Sequence, residues 1–126
     1  MSKGKVLVVD DEQIITSLVS KTLEREGYQV IACNSAEDGL ATVRTNSPDL
    51  ILLDIGMPDI DGYEFCSRLR KDEQFAHTPV IFLSGKSAEE DGGRSFKLGA
   101  ATYIRKPFSN ASLVEIVNLT MSSLDG

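Results

Sequence analysis

Apolar residues form five short runs along the chain, and each run is followed by a segment in which apolar residues recur every three or four positions. An unbroken apolar run is typical of a strand covered on both faces, because polar alternation disappears when neither face meets water. The clearest run, at residues 50–53, leads directly to Asp54. The predicted strands cover residues 5–9, 28–33, 50–53, 80–83 and 102–104.

The intervening segments predict five amphipathic helices, and particular residues mark where these helices begin or end. Gly27 is placed to end the first helix in a left-handed conformation. Ser35 and Asp61 are the predicted N-caps of the second and third helices. Either Ser109 or Asn110 is predicted to cap the last helix.

The fourth helix is predicted over residues 88–98, although Gly92 and Gly93 lie inside it. An interior glycine costs a helix about 1 kcal/mol relative to alanine. The segment therefore fits a helix that starts late or frays, and it equally fits a softened element with a functional role.

Strands that alternate with helices predict an α/β fold, in which a parallel sheet has right-handed crossovers and helices on both faces. In open sheets of this kind, sites form beyond the carboxyl ends of the strands, where the strand order reverses. With the strand order 2-1-3-4-5, the second strand lies at an edge. It ends in Cys33 and Asn34 and offers no group comparable to those of its neighbours.

Five polar residues follow the other four strands and form what we call the rim of the sheet. Like charges at this spacing raise the pKa of a carboxyl group or recruit a cation. The three aspartates and one lysine leave a formal charge of −2, and a hard divalent ion such as Mg²⁺, or Mn²⁺ in its place, suits carboxylate oxygens best. The rim residues are Asp10, Asp11, Asp54, Ser84 and Lys106.

A carboxylate that lies beside Mg²⁺ and a lysine can attack a phosphoryl donor and form an aspartyl phosphate. Asp54 is the predicted nucleophile because it stands alone at the end of the central apolar strand, whereas Asp10 and Asp11 form a pair better suited to metal binding. The backbone carbonyl of Gly56 is a further candidate ligand, and Ser84 is the nearest expected hydroxyl donor.

Composition restricts the classes of function. The chain has 126 residues, enough for one domain with its own core, and residues 122–126 are expected to form a tail or the start of a linker. The 13 basic and 19 acidic residues give a net charge of −6, which argues against direct nucleic-acid binding. Two cysteines and the lack of a long apolar stretch predict a reduced, cytoplasmic protein without a membrane span.

Over essentially its whole length the sequence resembles the receiver domain of two-component response regulators, of the chemotaxis-regulator type. The resemblance implies a flavodoxin-like (βα)₅ sandwich in which Asp54 is phosphorylated by the phosphohistidine of a sensor kinase or a phosphotransfer protein. The matching segments are Val-Asp-Asp-Glu at 9–12, Asp-Ile-Gly-Met-Pro at 54–58, Asp-Gly at 61–62, Ser84, Leu-Gly-Ala at 98–100 and Lys-Pro-Phe at 106–108.

The same resemblance implies roles for the other rim residues. Asp11 would bind Mg²⁺ directly and Asp10 through water, while Ser84 and Lys106 would contact the phosphoryl group. Tyr103 would swing inward as Ser84 moves, which changes the face formed by the fourth helix, the fifth strand and the fifth helix. The Lys106–Pro107 bond is a candidate cis peptide.

Two further positions, Gly56 and Lys86, resemble those that modulate the lifetime of the phosphorylated state. Gly56 is expected to leave water a path to the acyl phosphate. The resemblance also gives the softened fourth helix a specific role, since that helix would lie on the face that reports phosphorylation.

Three alternative functions remain open from sequence. An aspartate-nucleophile phosphatase would typically carry a second aspartate two residues after the first, where this chain has Gly56, so no turnover of an external substrate is expected. A flavin-binding protein is disfavoured because the acidic loop at residues 10–12 would repel a phosphate. A constitutive interaction domain that merely retains the rim is the third alternative.

Overall fold

The computed structural model describes residues 3–85, 88–97, 99, 100 and 102–125. Within these ranges, five strands, six helices and one 3₁₀ turn follow one another. They are β1 (Lys5–Val9), α1 (Gln13–Arg25), β2 (Gln29–Cys33), α2 (Ala36–Asn46), β3 (Leu50–Asp54), α3 (Gly62–Arg70), the 3₁₀ turn (Glu73–Phe75), β4 (Val80–Ser84), α4 (Ala88–Asp91), α5 (Arg94–Lys97), β5 (Thr102–Arg105) and α6 (Asn110–Asp125).

The strands form one parallel sheet in the order β2-β1-β3-β4-β5, which confirms the predicted topology. Every residue of β3 and β4 is buried, because helices cover both faces of the sheet. Apolar side chains from α2 and α3 pack on one face, and those from α1 and α6 pack on the other. The fold is therefore a three-layer sandwich in which β1, β3 and β4 end beside one another.

The predicted helix boundaries are confirmed by hydrogen bonds at the caps. Gly27 has a φ of 100°, and its N–H donates to the carbonyl of Glu24, which closes α1. The Ser35 hydroxyl accepts from the N–H of Asp38 at 3.2 Å, and the Asp61 carboxylate accepts from the N–H of Glu64 at 2.8 Å.

The structure decides between Ser109 and Asn110, the two predicted caps of the last helix. Helix α6 starts at Asn110, and the Ser109 hydroxyl accepts from the N–H of Ser112 at 3.0 Å. Ser109 is therefore the cap. The helix extends through residues 122–125, so the segment expected to be a tail or linker start continues as helix.

The prediction of one helix over residues 88–98 is wrong. The described part of this segment forms two single turns, α4 and α5, which are separated by Gly92 and Gly93 with φ angles of 62° and 77°. Residues with side chains rarely adopt such angles, so these glycines permit the chain to leave the helix and begin a second turn. Leu98, the predicted end of the helix, lies outside the described residues.

No helix within the described ranges has both the length and the apolar character needed to cross a membrane.

Candidate functional site

Three carboxylates meet at the rim because strands β1 and β3 are neighbours in the sheet. Val9 pairs with Leu53, so the residues that follow them, Asp10 and Asp54, lie side by side. Asp10 is fully buried and Asp54 is 7% exposed, whereas Asp11 is exposed to solvent. One carboxylate oxygen from each aspartate lies within 4.8 Å of the others, so the three could hold a metal ion together.

Lys106 reaches this cluster from the end of β5. Its Nζ atom donates to Asp10 Oδ2 at 2.7 Å and lies 3.4 Å from Asp54 Oδ1. The backbone is fixed by the N–H of Lys106, which donates to the carbonyl of Ser84 at 2.7 Å, and the Lys106–Pro107 peptide bond is cis as predicted. The predicted partnership between Lys106 and Asp54 is therefore present in the fold.

The electrostatics of the cluster show a deficit of positive charge. Burial and the charge of Asp10 raise the pKa of Asp54 to about 6, although Lys106 and the N–H of Gly56 oppose this shift. Burial lowers the pKa of Lys106, but its hydrogen bond with Asp10 and the nearby acidic charges outweigh burial and raise that pKa. One lysine therefore does not neutralise the aspartates.

The donor set fits a hard divalent cation. The three candidate side-chain ligands are carboxylates, which suits Mg²⁺ better than a metal that prefers nitrogen or sulfur. The backbone of Gly56 lies against the site, since its N–H donates to Asp54 Oδ1 at 3.3 Å. A side chain at Gly56 would meet no atom within 4 Å, so this edge of the site is open.

Ser84 and Tyr103 form a second group beside the carboxylates. Ser84 is buried at the end of β4, and its hydroxyl forms a hydrogen bond with the half-buried side chain of Tyr103. Burial raises the pKa of Tyr103, while this hydrogen bond lowers it. The fold thus brings together the two residues that sequence assigned to a switch. Lys86, the other predicted modulator, lies outside the described residues.

A buried polar contact that the sequence did not suggest lies next to Tyr103. The hydroxyl of Tyr63 on α3 donates to the carboxylate of Asp91 at the end of α4, and the two residues are 3% and 7% exposed. Arg94 lies over the Tyr63 ring, with its guanidinium carbon 4.0 Å from the ring centroid. Burial and the carboxylate of Asp91 raise the pKa of Tyr63. This contact attaches α4 to α3.

Three other polar residues make contacts at or near the site that the sequence did not predict. Glu12 Oε1 lies 3.5 Å from Lys106 Nζ at the exposed edge of the cluster. Asn34, at the strand end that appeared to offer nothing, donates to the backbone carbonyl of Asp10. Asp59 accepts from the first turn of α2. Their polar character at loop positions was the available signal, but their partners are distant in sequence.

Comparisons with known proteins agree with this architecture. The family model for the response regulator receiver domain matches residues 6–118. The chain is 44% identical over 105 residues to the alkaline phosphatase synthesis transcriptional regulatory protein PhoP of Bacillus subtilis, covering 83% of this chain and 43% of PhoP. It is 36% identical over 114 residues to the transcriptional regulatory protein YvrH of the same organism, covering 90% of this chain and 47% of YvrH.

A solved structure shows the same likeness. The chemotaxis protein CheY4 of Vibrio cholerae superimposes with a TM-score of 0.87 at 31% identity, covering 94% of this chain and 98% of that one. The chain thus spans about half the length of the curated relatives it matches, and almost the whole of the matched CheY4 chain.

Receiver domains of this family bind Mg²⁺ at an acidic pocket and interact with histidine kinases or phosphotransfer proteins and with output domains. The fold, the acidic cluster and the match over residues 6–118 agree with one another. The chain therefore belongs to the receiver domain family of two-component response regulators and is a phosphoacceptor signalling domain.

Proposed function

We propose that Asp54 is the phosphoacceptor and that its carboxylate takes the phosphoryl group from the phosphohistidine of a sensor kinase or a phosphotransfer protein. The observation that carries this proposal is the meeting of Asp54 with two other aspartates and with Lys106 at the rim. Asp54 is the member of the cluster that lies on the central strand, between the other acids and Ser84.

We further propose a set of metal ligands, which the meeting of the three aspartates supports. Asp11, Asp54 and the backbone carbonyl of Gly56 would hold Mg²⁺, or Mn²⁺ in its place, and Asp10 would act through water, because Asp10 already accepts from Lys106 at 2.7 Å. Bound there, the ion would offset negative charge on the oxygens of the transferring group. Lys106, 3.4 Å from Asp54 Oδ1, would contact the phosphoryl group.

Transfer requires the Asp54 oxygen to form a bond to phosphorus while the bond between phosphorus and the histidine nitrogen breaks, with the electron pair returning to the imidazole. Phosphorylation replaces about one negative charge by about two and adds acceptor oxygens. We propose that Ser84 donates its hydroxyl to these oxygens and that Tyr103, its hydrogen-bond partner, follows. The affected surface would be the face formed by α4, α5, β5 and α6.

We further propose that residues 1–126 act as one cytoplasmic receiver domain without turnover of an external substrate, and that the signal passes to a downstream protein or an output domain. The names of the relatives PhoP and YvrH as transcriptional regulators support an output in gene regulation. The net charge of −6 makes direct contact between this domain and nucleic acid unfavourable.

Incubation with acetyl phosphate and Mg²⁺, followed by intact-protein mass spectrometry, tests the assignment. We expect a gain of one phosphoryl group, which disappears in Asp54→Asn and in the presence of EDTA. Asp72→Asn is the matched control, since Asp72 caps the 3₁₀ turn and does not belong to the cluster. Retention of the phosphoryl group in Asp54→Asn would refute the assignment, and steady hydrolysis of a phosphate ester would indicate a phosphatase instead.

A further inference from the structure

We propose that the β2–α2 junction, residues 34–37, braces both loops that carry the proposed metal ligands. Asn34 in the junction and Asp59 in the β3–α3 loop are the positioning residues. This inference rests on the proposed function, because it concerns the same metal site. It assigns a role to the strand end that supplies none of the five rim residues.

The first contact of this brace holds the β1–α1 turn, which carries Asp10 and Asp11. The side-chain amide of Asn34 donates to the backbone carbonyl of Asp10 at 3.0 Å and to Thr16 Oγ1 at 3.0 Å. Thr16 is buried, and its hydroxyl donates to the carbonyl of Gln13 at 3.1 Å. The amide of Asn34 therefore ties the acidic turn to the first turn of α1.

The second contact holds the β3–α3 loop, which carries Gly56. Asp59 Oδ2 accepts from the N–H of Glu37 at 3.1 Å, and Oδ1 accepts from the N–H of Ala36 at 3.4 Å. The end of this loop is fixed separately, since the N–H of Gly62 donates to the carbonyl of Ile55 at 2.8 Å. Asp59 joins the loop to α2 by hydrogen bonds, in addition to the packing of Ile55 and Met57 in the core.

The two contacts converge on one short segment, which fixes the distance between the loops. α2, which follows β2, packs beside α3 on the same face of the sheet, so the loop that leads from β3 to α3 lies next to the start of α2. The carbonyl of Gly56 and the carboxylate of Asp11 are thereby held in relation to the same four residues. Mg²⁺ requires near-ideal octahedral geometry with oxygens at about 2.0–2.1 Å, so variation in this spacing would weaken binding.

Titration of the metal-free protein with Mg²⁺ by isothermal calorimetry tests the brace in Asn34→Ala and Asp59→Ala. We expect each variant to bind Mg²⁺ about tenfold more weakly, at the lower end of the effect of losing groups that orient ligands. Amide hydrogen exchange of the metal-free variants should also be faster at residues 10–13 for Asn34→Ala and at residues 56–60 for Asp59→Ala.

Asp72→Ala is the matched control, because the Asp72 carboxylate also accepts a backbone N–H, that of Gln74, but belongs neither to residues 34–37 nor to the carboxylate cluster. It should lower the melting temperature as Asp59→Ala does and leave the Mg²⁺ affinity unchanged. Asp59→Asn separates charge from hydrogen bonding, since the amide oxygen still accepts an N–H. We expect Asp59→Asn to restore most of the affinity.

Equal weakening in Asp59→Asn and Asp59→Ala would overturn the role of Asp59 and assign its effect to charge. Equal affinity in Asp72→Ala, Asn34→Ala and the wild type would overturn the role of Asn34. Neither result would affect the proposed function, which fails instead if the wild-type protein takes up no Mg²⁺ and no phosphoryl group.

Discussion

Two regions at the carboxyl edge of the sheet are held by different kinds of structure. The acidic half consists of Asp10, Asp11, Asp54 and Lys106, and the β4 half consists of Ser84 with α4 and α5. In the acidic half, Asp10 follows β1 and Asp54 ends β3, two paired strands that are buried apart from Lys5, and Lys106 reaches both aspartates from the end of β5. In the β4 half, the described residues between β4 and β5 include the two short helices α4 and α5, and the Tyr63–Asp91 hydrogen bond attaches α4 to α3. The acidic half is therefore positioned by the sheet, whereas α4 is held by a side-chain contact.

This difference indicates which half can move. Displacing Asp10 would break a buried ion pair, whereas displacing α4 requires loss of the Tyr63–Asp91 hydrogen bond and a change at Gly92 or Gly93, which lie at φ angles accessible to glycine. Under the proposed function, the chemical event at Asp54 would occur on a framework fixed by the sheet, and α4 and α5 would respond.

The largest expected change in unfolding free energy comes from removing the lysine of the acidic half. Lys106→Ala leaves Asp10, which is fully buried, beside Asp54 without its lysine partner. Removal of one member of a buried ion pair typically costs about 3–5 kcal/mol. Urea unfolding of the metal-free protein should show a loss of this size, and Mg²⁺ should restore part of it.

Lys21→Ala, which removes an exposed lysine on α1, should change the unfolding free energy little and serves as the control. Equal stability of the Lys106→Ala and Lys21→Ala proteins would mean that the acidic half does not depend on its lysine.

A smaller effect, of opposite sign, is expected from Asp54→Asn in the absence of metal. The pKa of Asp54 is raised to about 6 in the folded protein from an ordinary value of 3.8, so the ionised form disfavours folding above pH 6. At pH 8 the variant should be more stable than wild type by about 2–3 kcal/mol.

The sign follows from the linkage between protonation and folding. The favourable contribution of protonated Asp54 is complete below pH 3.8 and is lost as the pH rises through about 6, so the advantage of the variant should shrink across this window as the pH falls. Urea unfolding in EDTA between pH 4 and pH 8 measures the difference in unfolding free energy between Asp54→Asn and the wild type. An advantage independent of pH would contradict the electrostatic explanation.

The smallest expected effect belongs to the β4 half. Tyr63→Phe removes the hydroxyl that donates to Asp91 and should destabilise the protein by about 1–2 kcal/mol. Because this contact attaches α4 to α3, hydrogen exchange should accelerate selectively in α4 and α5. The rates in β1 and β3 should remain unchanged.

Tyr28→Phe provides a matched control, since the Tyr28 hydroxyl donates to Asn118 on the opposite layer of the sandwich. It should lower stability without accelerating exchange in α4. Unchanged exchange in α4 after Tyr63→Phe would show that α4 is not held by the Tyr63–Asp91 hydrogen bond. It would also remove the support for a softened functional element between residues 88 and 98.

Periodicity and local chemistry in the sequence predicted most of the fold and the ligand-bearing strand ends. Unbroken apolar runs identified the strands, and the residues that follow them identified Asp54, Ser84 and Lys106, because parallel strands present their carboxyl ends at one edge. The break between α4 and α5 was not predicted, since glycine spacing alone does not distinguish a frayed helix from two separate turns.

The sequence by itself determined the strands and helices and the caps at Ser35 and Asp61, because each depends on residues close together in the chain. It also determined the members of the acidic cluster, because the carboxyl ends of parallel strands meet at one edge of the sheet. Only the tertiary structure decided the contacts of Asn34, Asp59 and Tyr63 with groups on other elements. Hydrogen bonds between residues distant in sequence depend on how helices and loops pack on the sheet, and no local pattern records that packing.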